Sequence, residues 1–157
     1  MFNFIKKMFC KKGKPMVVDV VLTQEQDNDR NHYDRSEWPK PVSPGLNDLV
    51  WFGATDGNFL TGVVKAIKRE HDAKVVEYQV VYNTDSKRKF KADALFKTRT
   101  DAIRAAIGKH WQEIQRLYTG LLTAKRVPST VIDYTTTTVQ AHKNMIAFLE
   151  SQLGKEA

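Results

Sequence analysis

The sequence predicts an α+β fold, with a small β-barrel in the middle of the chain and a two-helix hairpin after it. Three observations favour this. The chain has 157 residues, 41% of them hydrophobic and 27% charged, which is typical of one globular domain with appendages. Residues 46–96 alternate between polar and apolar side chains, and residues 99–153 carry apolar side chains at helical spacing. We therefore divide the chain into an N-terminal basic amphipathic segment (1–14), a strand with an acidic, proline-containing linker (15–45), a barrel (46–98) and a helical hairpin (99–157).

Residues 1–12 have the pattern of a basic amphipathic helix that ends before Gly13 and Pro15. On a helical projection the apolar residues share one arc, and Lys6 and Lys7 lie off it. Two functional interpretations stay open, contact with an anionic membrane surface and contact with a partner protein. A third is packing on the chain's own domain. The candidate contact residues are Phe2, Ile5, Lys6, Lys7 and Phe9.

Residues 16–22 are mostly β-branched and predict a strand. Residues 23–47 are acidic and contain Pro39, Pro41 and Pro44, which predicts a long loop. We expect Trp38, inside this loop, to pack on the domain or to anchor a partner.

Four short strands are predicted for the barrel. We place them at Leu46–Phe52, Asn58–Lys68, Val75–Asn83 and Lys87–Ala92. Asp56-Gly57 and the Asn83–Ser86 segment supply tight turns, and closure of the barrel would remove exposed strand edges. The residues expected in the core are Leu49, Val64, Val76, Val80, Phe90 and Leu95.

Two helices are predicted for the hairpin. Thr98 and Asp101 fit the start of the first helix, whose apolar residues recur from Ile103 to Leu121. We expect a loop over residues 127–138, and a second helix that begins near Thr137 and ends at Gly154.

The stretch of residues 46–96 resembles an SH3-like barrel of the Tudor type, nearest to Tudor domains of the Polycomb-like kind. The shared elements are Thr55-Asp56-Gly57, Gly62, Tyr82, Phe90 and the Asp93–Leu95 segment. The resemblance implies an aromatic cage that binds methylated lysine by cation–π attraction. Tyr82 and Phe90 match two cage aromatics, whereas Ala54 and Leu60 stand where the family has the other two. The implied cage is therefore partial, and the same aromatic residues also suit a barrel core.

Enzymatic chemistry is not indicated by any motif. The single cysteine and the widely separated His32, His71, His110 and His142 give no metal-binding or nucleophile pattern. We therefore expect a non-catalytic protein without cofactor, metal or small-molecule substrate. No apolar run is long enough to span a membrane, so we expect a cytoplasmic protein, peripheral to a membrane only if residues 1–12 bind one.

The net charge is +7, and residues 1–15 contribute five lysines without an acid. Among the remaining residues, the densest cluster of basic side chains is in the predicted barrel. Lys87, Lys89 and Lys91 project together from the fourth strand with Arg88 at the turn, and Lys65, Lys68 and Arg69 end the second strand. We expect this basic face to bind DNA or RNA through phosphates. The alternative is a protein–protein adaptor or accessory protein, for example of a phage type, that uses the barrel rim, Trp38 or the hairpin.

Overall fold

A computed structural model describes residues 16–34, 38–54, 57–84 and 86–155. The protein has the predicted α+β class, with a four-stranded antiparallel sheet and three helices, two of them at the C-terminal end. The described residues form two compact units. One contains the described parts of Met1–Asp34 and Lys109–Ala147, and the other those of Arg35–Gly108 and Phe148–Ala157.

The first unit contains a short two-stranded ribbon and a short helix. Strand β1 (Val17–Asp19) pairs antiparallel with a three-residue strand, Arg126–Pro128, that follows the first long helix. Helix α1 (Gln24–Arg30) begins with a capping box between Thr23 and Gln26. Its presence corrects the prediction that residues 23–47 form only a loop, because the capping box satisfies the first backbone N–H groups of this short helix.

The four-stranded sheet belongs to the second unit and follows the chain order. Its strands are β2 (Leu49–Gly53), β3 (Phe59–Arg69), β4 (Val75–Tyr82) and β5 (Ser86–Lys91). The register of β3 against β4 shifts between Val64 and Ala66, so Lys65 is an extra residue. This bulge reverses the alternation, and Ile67 rather than Ala66 contacts the core.

The core of the sheet contains four of the six residues expected there, Val64, Val80, Phe90 and Leu95, together with Val50, Phe52 and Tyr78. Two expectations are wrong. Leu49 is 61% exposed, because Val50 and Phe52 set the buried face of β2. Val76 is 37% exposed, because the second register shift leaves it unpaired between Glu77 and Val75, and Val75 contacts the core instead.

Closure of the sheet is limited among the described residues. The strand order runs from β2 to β5 without a pairing between these two edges. Beyond the named strands, Trp51 of β2 forms an isolated antiparallel bridge with Phe96. The sheet is thus an antiparallel meander extended by one bridge.

The two long helices are α2 (Arg99–Ala124) and α3 (Ser129–Gly154), separated by strand β6 (Arg126–Pro128). The Thr98 hydroxyl accepts a hydrogen bond from the Asp101 N–H, as the predicted cap requires. Helix α3 begins at Ser129, so the predicted loop over residues 127–138 is wrong. Its first turns are helical because Thr135 and Val139 are buried on one side of the helix.

Candidate nucleic-acid interface

The outer face of the sheet is the face opposite the core cluster of Tyr78 and Val80. Because side chains alternate along a strand, the neighbours Glu77, Gln79 and Val81 of β4 lie on it. Their partners on β5 are Lys91, Lys89 and Lys87, in that order. The register therefore brings the three lysines to one face, and all three are exposed.

A fourth lysine lies on the same face. Lys68 of β3 pairs with Glu77, whose other cross-strand partner is Lys91. Glu77 thus lies between two lysines, and its Oε1 is 3.8 Å from the Nζ of Lys89. We call Lys68, Lys87, Lys89 and Lys91 the basic row. One carboxylate among four ammonium groups leaves a local excess of positive charge.

The other end of the outer face is covered. Trp51 and Phe59 contact the buried cluster of Phe96, Ala102 and Ala105, of which the two alanines belong to the first turns of α2. The same face therefore has an apolar part under a helix and a basic part open to solvent.

The remaining candidate cations do not join the basic row. Arg88 pairs with Val80 and lies on the core side, with its guanidinium 5.0 Å from the ring centre of Phe90. The Lys65 Nζ donates to Asn47 Oδ1 from the bulge, and Arg69 donates to the carbonyl of Ala73 in the next turn. The sequence alone could not separate these residues, because the bulge at Lys65 has no distinctive sequence signal.

The two cage candidates contact the core. Phe90 is buried, and its ring centre is 4.6 Å from that of Phe52. Tyr82 is partly buried and makes an edge contact of 5.4 Å with the same Phe52. Arg88 of the chain itself lies over the Phe90 ring.

The other two predicted contact regions are the N-terminal segment and Trp38. Phe2, Ile5, Lys6, Lys7 and Phe9 lie outside the described residues. Trp38 packs on Gly108 of α2, where a Cβ atom would lie 2.8 Å from the indole Cδ2. Packing on its own unit is the first of the two roles expected for this tryptophan.

The first unit contains a histidine pair that was not predicted from the sequence. The Nδ1 atoms of His110 and His142 are 2.8 Å apart, so one donates a hydrogen bond to the other. Burial, and secondarily the charge of His142, lowers the pKa of His110. The two residues lie on different helices, so their spacing in the sequence gave no signal. Within the described ranges, no group of three or more His, Cys, Asp or Glu residues could hold a metal ion.

Comparisons of the chain with protein families, with curated proteins and with solved structures found no match. Of the helices in the described part of the chain, none combines the length and the apolar character needed to cross a membrane.

Proposed function

We propose that this protein is a non-catalytic, intracellular binding module whose basic row contacts the phosphate backbone of DNA or RNA. We further propose that the sheet is a barrel of the SH3-like type. The four-stranded meander and the Trp51–Phe96 bridge beside β2 support the barrel. The observation that carries the function is the projection of Lys87, Lys89 and Lys91 from one exposed strand face.

The geometry of the basic row suits a repeating anion. Alternate residues of a strand lie about 6.6–6.8 Å apart, so the three lysines of β5 form a regular line of charge. Lysine is a flexible point charge rather than a planar fork, and it recognises phosphates without reading base edges. Within the basic part of this face we find no exposed aromatic side chain for base stacking among the described residues. We therefore expect binding that tolerates any sequence and weakens with salt.

A different explanation exists for the same lysines. Strand β5 lies at an edge of the sheet, and exposed lysines on edge strands prevent pairing with other chains. On that explanation the lysines protect against aggregation and make no contact with nucleic acid, so the test must separate binding from solubility.

The test is the salt dependence of binding by the full chain to a labelled oligonucleotide, read by fluorescence anisotropy. The variant Lys87→Gln/Lys89→Gln/Lys91→Gln removes the line of charge. We expect it to reduce the slope of log K against log salt by about 2–3, at about 0.7–0.9 per lost phosphate contact. The melting temperature should change little, because exposed charges contribute little to stability.

The matched control is Lys40→Gln/Lys74→Gln/Lys97→Gln, which removes the same net charge from exposed positions outside the basic row. It should leave most of the salt slope intact. Equal losses in the two triple variants would mean that net charge alone drives binding. Absence of binding at low salt would overturn the proposal and leave the adaptor interpretation. Aggregation of the first variant without a change in binding would assign the lysines to edge protection.

A further inference from the structure

Helix α3 has an exposed apolar stripe beside its buried one. Buried or partly buried Ile132, Thr135, Val139 and Ile146 follow one another at spacings of three, four and seven residues. The residues that directly precede these four along the helix form a second line with the same spacing. We call this second line the α3 stripe, and it consists of Val131, Tyr134, Thr138, Ala141 and Met145.

The α3 stripe is open in the described structure. Tyr134 is 70% exposed, Met145 40% and Val131 38%, and Ala141 is also exposed. A seam with three- and four-residue spacing is the pattern by which one helix packs along another. Over residues 129–147 the only Asp, Glu, Lys or Arg residues are Asp133 and Lys143, in a chain of which these four types make up 27%. Lys143 is paired with Asp29 and Glu25 of α1. None of the five residues of the stripe is charged at neutral pH. Depletion of charge around exposed apolar and aromatic residues is typical of the centre of an interface.

The chain enters the described structure next to this stripe. The Ser129 N–H donates to the carbonyl of Met16 at 2.7 Å, and Val17 pairs with Pro128. Because β1 and β6 are antiparallel, Met16 lies at the end of β1 that adjoins the start of α3. Residues 13–15 can span about 10 Å, which is enough to reach the side of the adjacent helix at a packing distance of about 8–10 Å.

We propose that the α3 stripe is the docking surface of the chain's own N-terminal segment, residues 1–12, packed antiparallel to α3 as an amphipathic helix. As a helix this segment is ~18 Å long, and the stripe from Val131 to Met145 is ~21 Å long. The spacing of three apolar residues of the segment equals the spacing of three stripe residues taken in the opposite chain direction. Phe2, Ile5 and Phe9 are three and four residues apart, as are Ala141, Thr138 and Tyr134 in the reverse direction.

The proposed pairs are also complementary in size and charge. Phe2 and Ile5 would lie against the small side chains of Ala141 and Thr138, which allows the two helices to approach closely. Lys6 and Lys7 would remain in solvent, and the basic end of the segment would lie near the exposed Asp133. A second copy of the chain or a membrane surface could cover the same stripe, and both are outcomes of the test.

The test is disulfide formation in the full chain, with Cys10→Ser to remove the single native thiol. Two double variants place cysteines at proposed contacts, Phe2→Cys/Ala141→Cys and Phe9→Cys/Tyr134→Cys. A control, Phe2→Cys/Tyr134→Cys, places them about 10 Å apart along the helix, which is beyond the reach of a disulfide. Circular dichroism verifies that each variant is folded.

We expect the two contact pairs to form an intramolecular bond under mild oxidation without lipid, and the control pair to remain reduced. Disulfide-linked dimers in place of monomers would assign the stripe to a second copy and overturn the proposal. A folded protein in which neither contact pair oxidises would also overturn it. Oxidation of the control pair to the same extent as the contact pairs would show that the segment has no fixed position, which contradicts the proposal as well.

Discussion

At the residue scale, the close packing of β3 against β4 leaves no space for a side chain at Gly62. A Cβ atom there would lie 2.6 Å from Val80 Cγ1 and 2.8 Å from the carbonyl oxygen of Val81. The backbone oxygen cannot move without breaking the β3–β4 pairing. We therefore predict that Gly62→Ala lowers the free energy of unfolding by about 1–3 kcal/mol, measured by urea denaturation.

Gly53 supplies the control for this prediction. A Cβ atom there would be 3.7 Å from Phe59, an ordinary contact. Gly53→Ala should change the stability by no more than about 0.5 kcal/mol. If both variants are equally stable, the close contacts at Gly62 do not limit the stability of the sheet, and the prediction is wrong.

The His110–His142 pair predicts a loss of stability in mild acid. Burial lowers the pKa of His110 in the folded protein below the value of about 6.5 in the unfolded chain. The unfolded chain therefore binds more protons, and the stability present above pH 6.5 is lost as the pH falls towards the folded pKa. We expect the melting temperature to decrease between pH 7.5 and pH 5.

Part of this decrease should disappear in His110→Asn, since asparagine does not titrate. His71 lies exposed in the turn between β3 and β4, so His71→Asn should keep the wild-type profile. Identical profiles for wild type and His110→Asn would assign the acid sensitivity to other groups.

Burial could be predicted for single residues where alternation continued undisturbed. Val64, Val80 and Phe90 follow the period of two and are buried. The errors at Leu49 and Val76 occur at the end of an alternating run and beside a register shift. Which face of a strand is buried depends on its pairing partners, and a bulge inverts that face without a residue type that reveals it.

At the element scale, two glycines of α2 have opposite surroundings. A Cβ atom at Gly108 would lie 2.8–2.9 Å from the Trp38 indole, whereas one at Gly120 would meet nothing within 4 Å. Alanine is favoured over glycine in a helix by about 1 kcal/mol. We predict that Gly120→Ala stabilises the protein by about 0.5–1 kcal/mol. Gly108→Ala should destabilise it, because displacing a packed ring costs about 1–3 kcal/mol.

Thermal unfolding of the two variants in parallel checks this prediction, since the same substitution is made in the same helix. Stabilisation by both would mean that Trp38 can move away from α2 at little cost. Destabilisation by both would contradict the prediction for Gly120, because no neighbouring atom would explain it.

Of the three helices in the described residues, one could be predicted from local sequence, and the other two depend in part on tertiary contacts. The first long helix could be predicted because Thr98 caps it and apolar residues recur through it. Helix α1 was missed although Thr23 and Gln26 form its capping box. It has no buried residue, and its Asp29 and Glu25 bind Lys143, far away in sequence. The start of α3 is rich in threonine, which has low helix propensity, and burial of Thr135 and Val139 overrides that propensity.

The candidate interface could be predicted only in part. The alternation of Lys87, Lys89 and Lys91 places them on one face once β5 is recognised. The membership of Lys68 and the exclusion of Arg88 follow from the cross-strand register, which places Glu77 between Lys68 and Lys91 and Arg88 opposite Val80. A single sequence does not determine register in a meander of short strands, because several pairings bury similar apolar residues.

At the scale of the whole molecule, five lysines and no acid lie in residues 1–15, and the other residues carry the remaining +2 of the net charge of +7. A basic amphipathic segment binds anionic lipid surfaces through its apolar arc and its lysines together. If that arc is docked on the α3 stripe, the intramolecular contact competes with the membrane. The full chain should then bind anionic vesicles weakly, although the segment has the composition of a membrane-binding helix.

Release of the segment should therefore increase membrane binding. We predict that Ala141→Glu, which places a charge in the α3 stripe, raises the fraction of full chain that co-sediments with anionic vesicles. Neutral vesicles should bind neither form, because the lysines need an anionic surface. Thr136→Glu introduces the same charge at an exposed position of α3 outside the stripe and should behave as wild type. Since added negative charge opposes binding to an anionic surface, an increase in Ala141→Glu alone can come only from an exposed segment. Equal or reduced binding in that variant would show that the stripe does not hold the segment away from lipid.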